Sequence, residues 1–166
     1  MNWNTITNII LGAALAVLAV FAILGAYQWA TRKSLKKVDK NLLVMLVPLI
    51  LVVITYIVFD KIFVLNTRPD GSGEPSFPST HTMVVATIFL LAIINLKNYV
   101  KNKTLRVVLC VIMLALIAAV AVGRVLANKH WTSDVVGGLI FATVFSVIYY
   151  LIIRRIQNAK YLHKNH

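Results

Sequence analysis

The sequence predicts an all-α protein, a polytopic transmembrane bundle of about five helices, with the N-terminus outside and the C-terminus cytoplasmic. Three observations carry that expectation. The chain is 60% hydrophobic over 166 residues, and its mean hydropathy is +0.83. Several apolar runs are long enough to cross a hydrocarbon core of roughly 30 Å. The basic residues are gathered into alternate connections, the pattern that records topology in a membrane protein.

The spans read as Thr7–Ala30, Asn41–Leu65, Ser79–Leu96, Thr104–Leu126 and Ser133–Ile153. In lipid the backbone must satisfy its own hydrogen bonds, so these runs are helices. The first run is too long for a cleavable signal, and "MNWNTIT" before it lacks a basic region. Trp29 and Trp131 fall near span ends, where interfacial anchoring accounts for them. Cys110 lies within an apolar run as the single cysteine, so it packs and forms no intrachain disulfide. No repeat, low-complexity tract or linker divides the chain, which reads as one domain over residues 1–166.

A net charge of +12 would suggest nucleic acid in a soluble chain. Here its distribution says otherwise. Arg32, Lys33, Lys36, Lys37 and Lys40 follow the first span. Lys97, Lys101, Lys103 and Arg106 follow the third, and Arg154, Arg155, Lys160 and Lys164 follow the fifth. These thirteen of the 17 bases fall on one side, which the positive-inside rule makes cytoplasmic. The other side holds Lys61, Arg68, Arg124 and Lys129 together with four of the five acids, Asp60, Asp70, Glu74 and Asp134. A balanced collection of charges beside the membrane points to a site rather than a merely solvated loop.

Three short blocks on that side carry the chemistry. In "KIFVLNTRP", Lys61 and Arg68 are seven residues apart, close to two helical turns, so the reading puts both cations on one face. A lysine supplies a point charge and an arginine a fork for two phosphate oxygens, although such a pair also serves as an interface anchor. In "PSTH", Pro78 to His81, a helix begins, and its unpaired N–H groups make an anion site. Ser79 and Thr80 can add hydroxyl donors. Capping by Ser79 or Ser76, with Pro78 in the first turn, explains all of this block except His81. In "GRVLANKHWTSD", His130 and Asp134 are four apart and would stack on a helix, the carboxylate orienting a solvent-facing imidazole. A lone pair of this kind is more often structural. Three cations with two histidines describe a phosphoryl-transfer site, in which one histidine attacks and another protonates the departing oxygen. The few scattered acids offer no metal cluster, so the expectation is no metal and no cofactor.

These blocks resemble the signature of the type-2 phosphatidic acid phosphatase superfamily: K-x6-R-P, then P-S-G-H, then S-R-x5-H-x3-D. They read here as Lys61 to Arg68-Pro69, as Pro78-Ser79-Thr80-His81, and as Gly123-Arg124 to His130 to Asp134. The resemblance implies that His130 is the nucleophile, with Asp134 as its orienting partner and His81 as the general acid. It implies phosphate binding by Lys61, Arg68, Ser79, Arg124 and the amide of Thr80. Three departures stand out. Thr80 takes the place of the usual glycine and Gly123 that of the usual serine, and five spans are read where many relatives have six.

The expected function is a membrane lipid phosphate or diphosphate phosphatase, acting on the outer face through a phosphohistidine. Undecaprenyl diphosphate is the first choice of substrate, with phosphatidylglycerol phosphate or phosphatidate next. The partners are then the lipid phosphate and membrane lipids, not nucleic acid. A haloperoxidase-like enzyme shares these residues with the family but is soluble. A non-enzymatic membrane protein explains the charge but not the two histidines and Asp134. "DGSGEPS" reads as a turn in which Asp70, Ser72 and Glu74 face solvent.

Overall fold

Asn2 opens the first helix, its side-chain oxygen accepting the Thr5 N–H at 3.2 Å, one of the donors a helix start leaves unpaired. Helix α1 (Trp3–Arg32) then runs for 30 residues. It starts four residues before the expected Thr7 because this cap makes the polar turn around Asn4 helical. This computed structural model describes residues 2–162. Lys164, counted with the basic tail, lies outside the described residues, as does the side chain of Lys160.

The second span is built in pieces: α2 (Lys40–Val44), α3 (Leu46–Ile57) and a π-helical turn, Val58–Ile62. Pro48 accounts for the first break. It has no N–H for the carbonyl of Val44, four residues earlier, and its ring crowds that carbonyl. The span ends at Ile62, where the Phe63 N–H reaches the Val58 carbonyl at 2.8 Å. The expected end at Leu65 is therefore corrected. The apolar side chains continue, but the helix does not.

Helix α4 (Thr80–Tyr99) is the centre of the bundle and packs against α1, α3, α5 and α6. Helix α5 (Lys103–Leu126) begins at an Asn102 cap. Helix α6 (Thr132–Leu162) continues nine residues past the expected Ile153. Arg154 and Arg155 thus lie on a helix, not in a tail. Together these make five helices long and apolar enough to cross a membrane, with no strand among the described residues beyond one bridge, Thr67 to Pro75.

Apolar seams join the helices. Ile10 and Ala14 of α1, Val85, Ile88 and Phe89 of α4 and Val120 of α5 form one buried cluster. Leu91 of α4 packs with Leu42 and with Tyr149 and Ile153 of α6 in another. A polar knot sits within the second seam. The Asn95 amide donates to the Tyr149 hydroxyl at 2.8 Å, and that hydroxyl reaches the Asn41 carbonyl at 3.2 Å. Interhelical bonds of this kind fix rotation where apolar packing between lipid-like surfaces is indifferent.

At the opposite end, the α4 start is seated directly on α6. The Ser79 N–H donates to the Asp134 carbonyl at 2.9 Å. A Cβ on Gly138 would stand 2.9 Å from the Ser79 carbonyl oxygen, so only glycine admits this approach. One end of the bundle thereby collects the starts of α1, α4 and α6 and the finish of α5.

Candidate active site

The connection from Phe63 to Ser79 folds into a short hairpin over that end. The Arg68 N–H donates to the Glu74 carbonyl and the Ser76 N–H to the Asn66 carbonyl, both at 2.9 Å. Gly71 and Gly73 turn the tip with φ of 77° and 72°, a region glycine enters without a steric penalty. The hairpin is fastened to the α5–α6 turn. Lys129 pairs with Asp70 at 2.7 Å, and the Trp131 indole N–H donates to the Thr67 carbonyl at 2.9 Å. The Lys129 bond holds the Asp70 carboxyl well below the usual carboxylate range. Asp70, expected to face solvent, is therefore paired and partly buried, whereas Glu74 is exposed as expected and pairs with Arg68. Trp131 is a fastener as well as a surface residue.

Beneath the hairpin lies a cavity of about 180 Å³, lined by Tyr56, Asp60, Arg68, Pro75, Ser76, Phe77, Pro78, Thr80, His81 and His130. Four sequence-predicted site residues meet there: Arg68, Thr80, His81 and His130. Arg124 is buried behind them, 3% exposed, with its Nη1 donating to Asn4 at 3.0 Å. The Nε atoms of Arg68 and Arg124 and the hydroxyl of Ser76 are buried without a hydrogen-bond partner. Buried polar groups are nearly always paired; at the site these three can donate, and the buried Thr87 and Ser146 hydroxyls, also without a partner, lie within α4 and α6.

His130 departs from expectation in two ways. It precedes α6 instead of lying on it, and its ring is 4% exposed, not solvent-facing. Its Nδ1 is 2.9 Å from the Ser76 carbonyl and 3.7 Å from the Asp134 carboxylate. A carbonyl oxygen can only accept, so Nδ1 carries the hydrogen and Nε2 has a free lone pair. Burial, then the nearby Arg124 charge, pushes the His130 imidazole down to about 4, against partial opposition from Ser76 and Asp134. It is neutral at pH 7.

Asp134 is fully buried and does two things. Its Oδ2 accepts the Trp131 N–H at 2.9 Å, as the third residue of a helix reaching back to its cap. Its charge faces His130. The His130 partner at hydrogen-bond distance is the Ser76 carbonyl, with Asp134 as a second, longer neighbour.

Besides the buried Arg124, two further predicted phosphate ligands, Lys61 and Ser79, do not line the cavity. Lys61 sits on the π-turn, paired with Asp60 at 2.7 Å and largely exposed. The π-turn ends the helix before Arg68, so the two-turn spacing that put both cations on one face does not apply. The Ser79 hydroxyl is buried against that of Thr82 at 3.0 Å and makes no bond to the helix start. His81 makes a bond that sequence reading missed, its Nε2 lying 3.0 Å from Asn8 Oδ1. Asn4 and Asn8, four apart at the start of a helix whose residues 9–26 are all apolar, were the available signal. Ser76 and Gly138 left none, because a tertiary fold alone brings them to the site.

The geometry defines a membrane-embedded bundle carrying a neutral, buried histidine with a free Nε2, a second histidine and a set of cationic donors at one end. Residues 41–158 match the family model of the PAP2 superfamily, and the chain belongs to that phosphatase superfamily. Among solved structures it is similar to a transmembrane PAP2-type phosphatidylglycerolphosphate phosphatase from Bacillus subtilis. The TM-score is 0.71 at 21% identity, over 92% of this chain and 77% of the other. No match was found among curated proteins.

Proposed function

We propose that the protein is a lipid phosphate phosphatase working through a phosphohistidine at the outer membrane face. The observation that carries this reading is the free Nε2 of neutral, buried His130 opening on a cavity with the unpartnered Arg68 Nε and Ser76 hydroxyl. Nε2 attacks the terminal phosphorus, its bond to the leaving oxygen (the ester oxygen of a monoester, the bridging oxygen of a diphosphate) breaks, and His81 gives that oxygen its proton. Water then attacks the phosphohistidine, returns a proton to His81 and releases phosphate. Arg68, Arg124 and the Thr80 amide at the α4 start stabilise the charge on the transferring oxygens. Ser76 adds a hydroxyl. Lys61 and Ser79 join this set once Lys61 turns from Asp60 and the Ser79 hydroxyl from Thr82. Asp134 steadies the positive charge that grows on His130.

Two substrates are supported about equally. The cation count suits a diphosphate such as undecaprenyl diphosphate, whose head group is the more anionic. The fold similarity to a phosphatidylglycerolphosphate phosphatase favours a phospholipid monoester. Phosphate release by the purified protein in detergent, with excess EDTA and a panel of lipid phosphates, tests the reading. Metal-independent turnover that vanadate inhibits is the expected result. Loss in EDTA that magnesium restores would reveal a metal step, and no turnover on any lipid phosphate would sink the assignment.

A further inference from the structure

We infer that Asn4 and Asn8 of α1 are positioning residues of the site, Asn4 for Arg124 and Asn8 for His81. The inference rests on the phosphatase reading and extends it to a helix outside the family match, which begins at residue 41. Residues 9–26 of α1 contain no polar side chain, so its two asparagines stand at the end where the site lies, while the amide of Gln28 at the other end is bonded to Asp39. Asn8 is exposed on the bundle surface. An amide on a membrane helix is costly unless it is engaged, and this one is engaged by His81 at 3.0 Å. Asn4, one turn earlier, accepts from Arg124 Nη1 at 3.0 Å.

The seat for these contacts is Gly123. A Cβ there would stand 2.6 Å from Thr7 Cγ2 and 3.4 Å from the Trp3 ring. The serine that the family signature carries before the arginine would push α1 away. Glycine at this position removes one hydroxyl donor and lets α1 approach closely enough for Asn4 to reach the guanidinium.

An amide suits each task. Asn4 turns Arg124 without neutralising it, so the full charge remains for phosphate and Nε stays free. Asn8 holds His81 Nε2, which leaves Nδ1 as the ring nitrogen that exchanges a proton with the leaving oxygen. The two residues therefore affect different constants: Asn4 affects KM and Asn8 affects kcat.

The test is steady-state kinetics of the full-length protein in detergent on a lipid phosphate and on an aryl phosphate, whose leaving group needs no acid. Asn4→Ala should raise KM about tenfold on both substrates, the scale of one hydrogen bond to a charged group. Asn4→Asp should raise it further, although it keeps an acceptor, because a carboxylate competes with phosphate for Arg124. Asn8→Ala should lower kcat about tenfold or more on the lipid and less than threefold on the aryl ester, and Asn8→Asp should restore it. A purely structural role predicts the opposite: Asp rescues both positions, and both substrates suffer alike. That outcome, or wild-type constants in all four variants, overturns the inference. A wild-type protein inactive on both substrates overturns the phosphatase reading beneath it.

Discussion

At the scale of the residue, burial and one hydrogen bond set the state in which His130, the proposed nucleophile, meets its substrate. The Ser76 carbonyl takes Nδ1–H, which fixes the tautomer, while burial and Arg124 keep the ring neutral down to about pH 4. The sign follows directly. A base with a lowered pKa is unprotonated above it, so the acid limb of kcat/KM should fall near pH 4, not near the ordinary 6.5. A limb near 6.5 in a pH–rate profile would contradict that environment. His130→Gln should abolish turnover and the acid-labile phosphohistidine. Alanine is the poorer choice, because the buried ring leaves a void. Asp134→Asn separates charge from capping. Its side-chain oxygen can still accept from Trp131, so the melting temperature should barely change. Turnover should fall on the order of 10²-fold, as when a His–Asp pair loses its carboxylate. A near-normal rate would reduce Asp134 to a helix-start residue. The pairing of His130 with Asp134 was legible from four-residue spacing. Ser76 was not, because its carbonyl comes from the far side of the hairpin.

At the scale of the element, the geometry of the site rests on how two helix starts meet. The α4 start, which offers Thr80 and His81 to the cavity, is held by α6 through the Ser79 to Asp134 bond and the close approach at Gly138. Gly138→Ala would set a methyl against the Ser79 carbonyl, which is backbone and cannot swing aside. The α4 start must shift, and turnover should drop on the order of tenfold or more while the helices persist, since small misplacements cost rate steeply. Circular dichroism at wild-type strength beside wild-type kinetics would show that the seat is not needed. Sequence periodicity could not reveal this contact, since a glycine on an apolar span reads as filler until its neighbour is known. The five spans themselves were legible from hydropathy because lipid leaves the backbone no alternative to helix. Their ends were less so. Hydropathy ran past Ile62, where a π-turn closed the helix, and stopped short of the polar turns that carry α6 to Leu162.

At the scale of the whole molecule, charge and site divide the bundle into two unlike ends. Arg68, Arg124, His81 and His130 gather at the end where α4 and α6 begin. Arg32, Lys33, Lys36 and Lys37 follow the other end of α1, and Lys97 and Arg154 flank a second polar cavity beside the Asn41–Asn95–Tyr149 knot. If the positive-inside rule governs, that second end is cytoplasmic and the site faces outward. In a Cys110→Ala background, a cysteine at Ser72 on the exposed hairpin tip should react with an impermeant thiol reagent in intact cells. One at Ser34, in the α1–α2 turn, should react only after permeabilisation. The reverse pattern would turn the bundle over and send the search for substrate to the inner leaflet. With the site outside, the lipid panel decides between the two candidates. A diphosphate head group brings more negative charge to Arg68 and Arg124 than a monoester does, and it should be cleaved faster if charge governs the choice. Preference for phosphatidylglycerol phosphate or phosphatidate by tenfold or more, a difference of about 1.4 kcal/mol, would assign specificity to the lipid backbone instead. The role of His130 would stand in either case.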